Sequence, residues 1–292
     1  MNNKCLVTRL KAVVNDDSLP VIETMQQFTL DAIDAGGNKS MSDAQKWALN
    51  HFFYQIGAIS NSGIWSKVGF AILPIIGANK NYYPYDFKNN VLLFNVTNVM
   101  RDTNGGLEVY YESPNATSIG LNSSIQNVDG SSIGCFVSSV KQRTINSSNA
   151  APPIKVTFGF DDNTNISLSC PEIVTGGGIM QLRYQSGIDY YKRLASNYYN
   201  NYVRSTLLNI NGTPSSSTIS ALYADVNGNL LKSNTPVVSG NYTDTSEKSI
   251  TSKNLRIGSG NVFGVLIFFK EALTEAECSK LIQANQELIE AF

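Results

Sequence analysis

The chain has 292 residues, with 22 Lys and Arg against 23 Asp and Glu. Its net charge of −1 excludes the strongly basic footprint of a nucleic-acid-binding protein. No apolar stretch approaches the roughly 20 residues of a membrane helix. Charged residues make up only 15% of the chain, so its 32 Asn and 32 Ser supply much of the polarity, and the 42% of hydrophobic residues can fill a large core.

A single histidine, His51, argues against several kinds of active site. A Ser-His-Asp triad, a Cys-His pair or a multi-His zinc site needs this residue or more than one histidine. Cys5, Cys135, Cys170 and Cys278 do not have metal-ligand spacing, and we expect reduced, buried thiols. The composition therefore predicts that the chain is not an enzyme and holds no cofactor and no metal, although paired-carboxylate chemistry remains open.

The side chains of residues 4–14 alternate with a period of two, as in a short strand. Arg9 and Lys11 interrupt the apolar run, which does not fit a secretory signal, so we expect folding in a cytoplasm. A strand without an obvious hairpin partner must pair either in this chain's own sheet or at the edge of another protein. Residues 20–34 show a mixed pattern, and residues 35–40 predict a flexible connector and a boundary.

The clearest helix of the N-terminal half is predicted over residues 42–55. Ser42 and Gln45 have the spacing of a capping box, in which each side chain bonds the other residue's backbone N–H. The apolar stripe of this helix consists of Trp47, Ala48, Phe52 and Ile56. His51 lies in the same helix and is predicted to be a packing or surface histidine rather than a ligand or base.

From residue 65 to about residue 270 the pattern changes to short strands. Asn-Gly, Asp-Gly and related turns separate them, as at Asn104, Asp129, Asn211 and Asn227, and such turns between apolar runs predict hairpins. About ten strands at this spacing predict a β-sandwich or jelly roll. The predicted strands are 70–76, 91–96, 107–111, 132–139, 154–160, 166–169, 179–184, 205–209, 221–225, 255–257 and 262–269.

A second capped helix ends the sequence. Thr274 and Glu277 form its predicted capping box, and the acidic first turn complements the helix dipole. Because the helix follows directly from the apolar strand 262–269, we expect it to dock against the sheet. Its predicted inner stripe consists of Cys278, Leu281, Ile282, Ala284, Asn285, Leu288 and Ile289.

The segment 190–202 is rich in tyrosine and asparagine. Aromatic rings stack on sugar faces and amides bond hydroxyl groups, so this composition suits a carbohydrate-binding surface or a protein interface. An ordinary strand pair with partly buried tyrosines explains the pattern equally well. The candidate carbohydrate- or partner-binding residues are Tyr190, Tyr191, Tyr198, Tyr199 and Tyr202.

Two other loops have simpler interpretations. The acidic run 161–165 lacks the spacing and closing Glu of an EF-hand loop, and we interpret it as a hairpin tip. The glycine run 175–178 is not a phosphate-binding loop, because no Lys-Ser/Thr pair follows it.

The order of the motifs resembles a known family. Ser42-Asp-Ala-Gln45 precedes Ser62-Gly-Ile-Trp-Ser-Lys67 and Ile72-Leu-Pro-Ile-Ile-Gly77, and the chain ends with Phe268 to Glu277 and a helix. This set resembles the concanavalin A-like (laminin G-like) jelly-roll domains of tailed-bacteriophage structural proteins. The similarity covers about residues 41–292. The run 85–89 departs from the "HKWNLKD" pattern usual in that family, since it has neither His nor Trp.

The N-terminus resembles a second group of sequences. Cys5-Leu-Val-Thr-Arg-Leu-Lys11 is similar to the "CLVTKLK"-type segment of virion proteins in crAss-like phages, where it looks like a docking element. The resemblance therefore implies an N-terminal virion-docking segment, residues 1–40, before a lectin-like jelly-roll domain, residues 41–292. The implied docking residues are Leu6, Val7, Thr8, Arg9, Leu10 and Lys11.

These resemblances imply a structural virion protein, a fibre or decoration protein of the head in preference to the tail, assembled in the bacterial host cytoplasm. Its expected partners are other virion proteins, further copies of itself in a dimer or trimer, and host-surface glycans. No nucleic acid and no membrane are expected. Two alternatives stay open at this point: a glycan-degrading depolymerase on the same fold, and a secreted bacterial adhesin.

Overall fold

The computed structural model describes residues 24–36, 40–76, 85–89 and 262–292, together with strands between residues 91 and 257. Of those intervening strands, side chains are described at residues 134–138, 205 and 207. The elements below are numbered along this part of the chain.

Helix α1 (Gln27–Gly36) lies where the sequence pattern is mixed. Its buried face is Thr29, Ala32, Ile33 and Gly36, at helical spacing. Threonine and glycine occupy two of these positions, so the sequence does not show an apolar stripe on this face. Gly36 is required for the contact, because a Cβ there would lie 2.5 Å from the carbonyl oxygen of Ile76.

The two predicted capped helices are confirmed as α2 (Asp43–Gln55) and α3 (Glu275–Glu290). Both capping boxes are complete, with Ser42 and Thr274 as the N-caps. The predicted inner stripe of α3 is buried in full. In α2, Ala48 and Phe52 are buried as predicted, whereas Trp47 is half-exposed.

A glycine turn carries the chain from α2 to the sheet. Gly57 has φ of 83°, and a Cβ there would lie 2.1 Å from the carbonyl oxygen of Ser62, so only glycine fits. A first 3₁₀ helix, Gly63–Lys67, follows, and Trp65 N–H donates to the carbonyl of Ile56 at 2.7 Å. A second 3₁₀ helix, Pro74–Ile76, ends the apolar run that the sequence predicts as one strand.

Eighteen strands are described. The first nine are β1 (Val68–Ile72), β2 (Tyr85–Asp86), β3 (Val91–Leu92), β4 (Val99–Arg101), β5 (Leu107–Val109), β6 (Thr117–Gly120), β7 (Ile125–Asp129), β8 (Ser132–Lys141) and β9 (Ile154–Phe160). The other nine are β10 (Asn165–Cys170), β11 (Ile179–Arg183), β12 (Asp189–Arg193), β13 (Val203–Asn211), β14 (Thr218–Asp225), β15 (Leu230–Lys232), β16 (Pro236–Val238), β17 (Glu247–Ile257) and β18 (Val262–Phe269).

These strands form two antiparallel sheets. The first sheet has the order β15-β14-β13-β8-β18-β1-β2-β3, with β5 beside β18 and β4 beside β5. The second has the order β16-β12-β11-β10-β9-β17-β6, with β7 also on β17. The first and last of the described strands, β1 and β18, are neighbours in one sheet.

The first sheet is buried on both faces at its centre. Ala71, Phe136 and Ile267 lie on one face and belong to the core cluster that also holds residues of α1, α2 and α3. Phe70 and Phe268 are fully buried outside that cluster, as expected for strand residues that face the other way. Strand β10 of the second sheet lies beside β8 and β13 of the first.

Most of the predicted turns join paired strands. The acidic run 161–165 separates β9 and β10, which pair with Asn165 opposite Gly159, so the hairpin interpretation is confirmed. The hairpin predicted at Asp129 is wrong, because β7 pairs with β17 and β8 with β13 and β18. The Asp-Gly step there leads from one sheet to the other.

The described part is thus an antiparallel β structure with helices packed on one face of the first sheet. This confirms the coarse expectation of antiparallel strands with two capped helices. The finer expectation, a concanavalin A-like jelly roll, stays a prediction.

Candidate functional site

The predicted docking and binding residues lie mostly outside the described residues. Residues 6–11 are outside them, as are Tyr198, Tyr199 and Tyr202. Tyr190 and Tyr191 belong to β12, where Tyr190 is opposite Leu182 and Val238 in the neighbouring strands. The carbohydrate- and virion-binding assignments of these residues stay predictions.

Two of the motifs that carry the family resemblance come together in space. Lys67, from the Gly-Ile-Trp-Ser-Lys motif, donates its Nζ to Glu277 Oε2 at 2.7 Å. The same ammonium reaches the carbonyl of Ala272 at 3.3 Å, and Lys270 N–H donates to the carbonyl of Lys67 at 2.8 Å. Motifs about 200 residues apart in sequence thus form one junction beside the β1–β18 pair.

Glu277 has a double role at this junction. Its carboxylate accepts the N–H of Thr274 at 2.7 Å, which completes the capping box of α3, and also accepts the ammonium of Lys67. Burial alone would raise the pKa of this carboxyl, but the hydrogen bonds from Lys67 and Thr274 outweigh it and hold the pKa below its ordinary value.

The turn formed by residues 86–89, here called the Asp86 turn, contains the one fully buried carboxylate among the described residues. Asp86 Oδ1 accepts the backbone N–H groups of Ala71 at 3.1 Å, Lys88 at 3.0 Å and Asn89 at 3.4 Å. Its Oδ2 accepts the side-chain amide of Asn89. The sequence analysis notes this run only as a departure from the family pattern and misses the role of Asp86.

Burial raises the pKa of Asp86, and the hydrogen bonds from Asn89, Ala71 and Lys88 oppose the shift without cancelling it. A raised carboxyl pKa is common at catalytic sites. Here, however, the described donors surround both oxygens and fix the turn. The arrangement therefore suits a structural anchor better than a general acid or base.

Lys88 links the Asp86 turn to Trp65 and Asn61. Its ammonium donates to the carbonyl of Trp65 at 3.0 Å and to Asn61 Oδ1 at 3.2 Å, and it lies 5.5 Å from the centre of the Trp65 ring. Partial burial and the nearby charge of Lys270 lower the pKa of Lys88, while Asp86 opposes this shift. Trp65 itself is only 3% exposed, so its ring is a packing surface and not an open stacking platform.

Asn50 joins α1 to α2. Its Oδ1 accepts the N–H of Gln26 at 2.9 Å and the hydroxyl of Thr29 at 2.8 Å, and its Nδ2 donates to the carbonyl of Thr24 at 3.3 Å. Both Asn50 and Thr29 are fully buried. Phe28 of α1 packs edge-on against Phe53 with ring centres 4.9 Å apart. Residues 24–36, although inside the predicted docking segment 1–40, therefore contact α2 through hydrogen bonds and a buried helix face.

His51 joins α2 to α3, since its Nδ1 lies 3.0 Å from Glu287 Oε2. Gln55 Nε2 donates to the same Glu287 oxygen at 3.0 Å. This placement agrees with the prediction of a packing histidine. Among the described residues, no group of three or more His, Cys, Asp or Glu side chains is placed to hold a metal ion.

Two buried polar side chains have no hydrogen-bond partner in the described structure. Asn285 in α3 is 1% exposed, and neither its amide nitrogen nor its amide oxygen is paired. Ser138 in β8 is fully buried, and its hydroxyl is also unpaired. Such groups are uncommon in folded proteins and have an energetic cost.

Cys135 and Cys278 are buried and free, which confirms the expectation for these two thiols. Burial raises the pKa of Cys278 to about 11 and that of Cys135 further still, so neither thiol is activated as a nucleophile. In the described residues no helix combines the length and apolar character needed to cross a membrane.

The chain was compared with family models, curated proteins and solved structures. No protein-family model and no curated protein matches the chain. Among solved structures, Trypanosoma rangeli sialidase in complex with 2,3-difluoro-KDN matches over 83% of this chain and 39% of its own, at 11% identity and a TM-score of 0.40. The same sialidase with sialic acid matches over 84% of this chain and 38% of its own, at 9% identity and a TM-score of 0.39.

The chain thus spans about two fifths of the length of these sialidases. The sequence-based prediction that the chain is not an enzyme is contradicted by this comparison, because the matched structures are enzymes, and we withdraw that prediction. At these TM-scores the similarity assigns neither an activity nor a substrate to the present chain.

Proposed function

We propose that the chain is a structural virion protein of a tailed phage, preferentially a head fibre or decoration protein. In this proposal the residues before Thr24 dock onto the particle. The remainder displays a concanavalin A-like jelly roll that binds host-surface glycans.

The observation that carries the proposal is the junction of the family motifs. The resemblance rests on separate short motifs, and each is weak evidence alone. The Lys67–Glu277 contact at 2.7 Å joins two of these motifs, and the β1–β18 pair brings the strands beside them together. This junction supports the view that the motifs belong to one structural unit, as the resemblance implies.

The limit of the docking segment follows from the packing of α1. Thr24, Gln26 and Thr29 bond to Asn50, so the domain already includes these residues. We therefore propose a docking segment that ends before Thr24. All six predicted docking residues, Leu6 to Lys11, belong to this proposed segment by their position in the sequence.

Glycan binding is the second part of the proposal. It rests on the composition of segment 190–202 and on the position of β12, an internal strand of the second sheet between β11 and β16. Sheet faces lined with aromatic and amide side chains are suited to stacking on sugar rings and bonding their hydroxyl groups.

Incorporation of the chain into phage particles tests the docking part of the proposal. Full-length chain and a variant lacking residues 1–23 are supplied separately to infections in which the native copy is deleted. We expect both proteins to fold, with the same circular dichroism, but only the full-length chain to co-purify with particles. Equal incorporation of the shortened chain would refute docking through this segment, and a full-length chain that stays out of particles would refute the virion assignment.

A glycan array with the purified full-length chain tests the proposed glycan binding. A double variant, Tyr198→Ala with Tyr199→Ala, is the matched comparison. We expect binding to a restricted set of surface glycans that the double variant loses. Absence of binding by the native chain would refute the glycan half while leaving the docking test unaffected.

A further inference from the structure

Helix α1 is held to the domain by a much smaller apolar surface than α3. Of the four residues that α1 buries, Ile33 has the only large apolar side chain. Phe28 adds a partly buried ring, which contacts the rings of Phe53 and Trp65 edge-on. By contrast, α3 contributes six residues to the core cluster: Cys278, Leu281, Ile282, Ala284, Leu288 and Ile289. Because the stabilisation grows with the apolar area that is buried, the attachment of α1 is the weaker one.

Helix α1 is also weak by itself. It has ten residues, and isolated helices of this length are not stable in water. Its first turn has no acidic residue and its last turn has no basic residue, whereas Asp34 places a negative charge near the end where the helix dipole is already negative. The helix therefore forms only while it is docked, so detachment and unfolding of α1 occur together.

The polar attachment of residues 24–29 is concentrated on Asn50. Its Oδ1 accepts the N–H of Gln26 at 2.9 Å and the hydroxyl of Thr29 at 2.8 Å, and its Nδ2 donates to the carbonyl of Thr24 at 3.3 Å. All three bonds meet at one side-chain amide of α2. A movement of residues 24–29 away from α2 therefore breaks them together.

The rest of the described structure has attachments that do not involve residues 24–36. No described strand includes these residues, so their departure breaks no strand pair. Helices α2 and α3 stay joined through the contact of His51 with Glu287, and β1 stays paired with β18. We propose that residues 24–36 form a strap, which detaches from Asn50 and unfolds as one unit while α2, α3 and the first sheet stay folded.

Detachment of the strap lengthens the connection between the domain and the residues before Thr24. The ten residues of α1 span about 15 Å as a helix and up to about 35 Å when extended. A pull on the residues before Thr24 acts first on the bonds to Asn50, because Thr24 and Gln26 are the nearest attached residues. In the proposed virion role the strap gives the displayed domain a longer reach. This consequence rests on the proposed function, whereas the strap itself does not.

Hydrogen exchange of individual amides in the full chain tests the strap. The amides of residues 31–34 report on α1, and those of residues 281–288 report on α3. The native chain is compared with Thr29→Val, which removes one bond to Asn50, and with Asn285→Leu, which changes α3 only. We expect Thr29→Val to speed exchange in α1 by about fivefold. We expect Asn285→Leu to slow exchange in α3 by about tenfold and to leave exchange in α1 unchanged, because α1 opens without α3.

Two results would overturn the proposal. Equal slowing of exchange in α1 and α3 by Asn285→Leu would mean that α1 opens only when the whole domain unfolds. Unchanged exchange of residues 31–34 in Thr29→Val would mean that the end of α1 frays without release of the bonds to Asn50. If Asn285→Leu does not slow exchange in α3, the native chain decides: a shallower urea dependence of exchange in α1 than in α3 supports the strap, and an equal dependence refutes it.

Discussion

Asn50 and Asn285 lie in facing helices and are both buried, but they differ in their hydrogen bonds. Asn50 in α2 is fully buried and bonds Gln26, Thr29 and Thr24 through both ends of its amide. Asn285 in α3 is 1% exposed and has no partner in the described structure. Burial of an amide is favourable only when its hydrogen bonds are replaced. Asn50 therefore stabilises the fold by orienting α1, whereas Asn285 destabilises it.

The largest expected effect is at Asn50. Asn50→Leu removes both ends of the amide and leaves the Gln26 N–H, the Thr29 hydroxyl and the Thr24 carbonyl without partners. We expect a loss of about 3 kcal/mol or more in the free energy of unfolding, because each buried group loses its bond. Urea unfolding of the full chain measures this, and a loss below about 1 kcal/mol would show that these bonds contribute little.

The same substitution at Asn285 should act in the opposite direction. Asn285→Leu keeps the branching of the side chain at Cγ, adds volume, and removes two unpaired polar atoms from an apolar environment. We expect a gain of about 1 to 2 kcal/mol in the free energy of unfolding, and a higher midpoint in the same urea series. Destabilisation by a similar amount would mean that Asn285 has a polar partner in solution, and the contrast with Asn50 would fail.

A smaller effect is expected at Thr29, which shares the Asn50 cluster. Thr29→Val keeps the shape of the side chain and removes one hydroxyl that donates to Asn50 Oδ1 at 2.8 Å. We expect a loss of about 1 kcal/mol in the free energy of unfolding. In the double variant with Asn50→Leu this loss should disappear, and full additivity of the two losses would show that the bond is not formed.

The smallest expected effect concerns the pH dependence of stability. Asp86 and Glu277 are two carboxylates whose pKa values are shifted in opposite directions. The pKa of Asp86 is raised by burial, so its contribution to stability is fully present below its ordinary value of 3.8 and is lost as the pH rises through the folded-state pKa. The pKa of Glu277 is lowered by its partners, so its contribution is present above 4.5 and is lost as the pH falls through the folded-state pKa.

Stability measured against pH for the native chain, Asp86→Asn and Glu277→Gln separates the two carboxylates. We expect the difference between native and Glu277→Gln to shrink toward acid, and the difference between native and Asp86→Asn to shrink toward neutral pH. Parallel pH profiles for all three proteins would mean that neither carboxyl titrates differently in the folded and unfolded states.

Local rules were sufficient to predict the two capped helices and the strand 262–269. The capping boxes at Ser42 and Thr274 and the inner stripe of α3 depend on residues a few positions apart, and the structure confirms them. Helix α1 could not be found in the same way, because its buried face includes Thr29, which is buried only by pairing with Asn50 of another helix. Contacts of this kind have no local signature.

Contacts between residues far apart in the sequence also explain the other differences between the sequence-based predictions and the structure. The sequence could place Asn285 on the inner face of α3, but its lack of a partner depends on which elements surround it. Asp86 looks like an ordinary turn residue in the sequence, and its role emerges only when Ala71 of β1 is brought beside it. The Asp129-Gly step has the composition of a hairpin turn, yet β7 finds its partner in β17, more than a hundred residues later.

The virion assignment can be decided on intact particles. Gold-labelled antibody against the described domain, applied to purified tailed particles from the native host and imaged by electron microscopy, reports presence and position together. We expect label at regular sites on the head, at a fixed number of copies per particle. Particles that carry no label, while the same antibody detects the chain free in the lysate, would refute the proposal that this chain is a structural component of the virion.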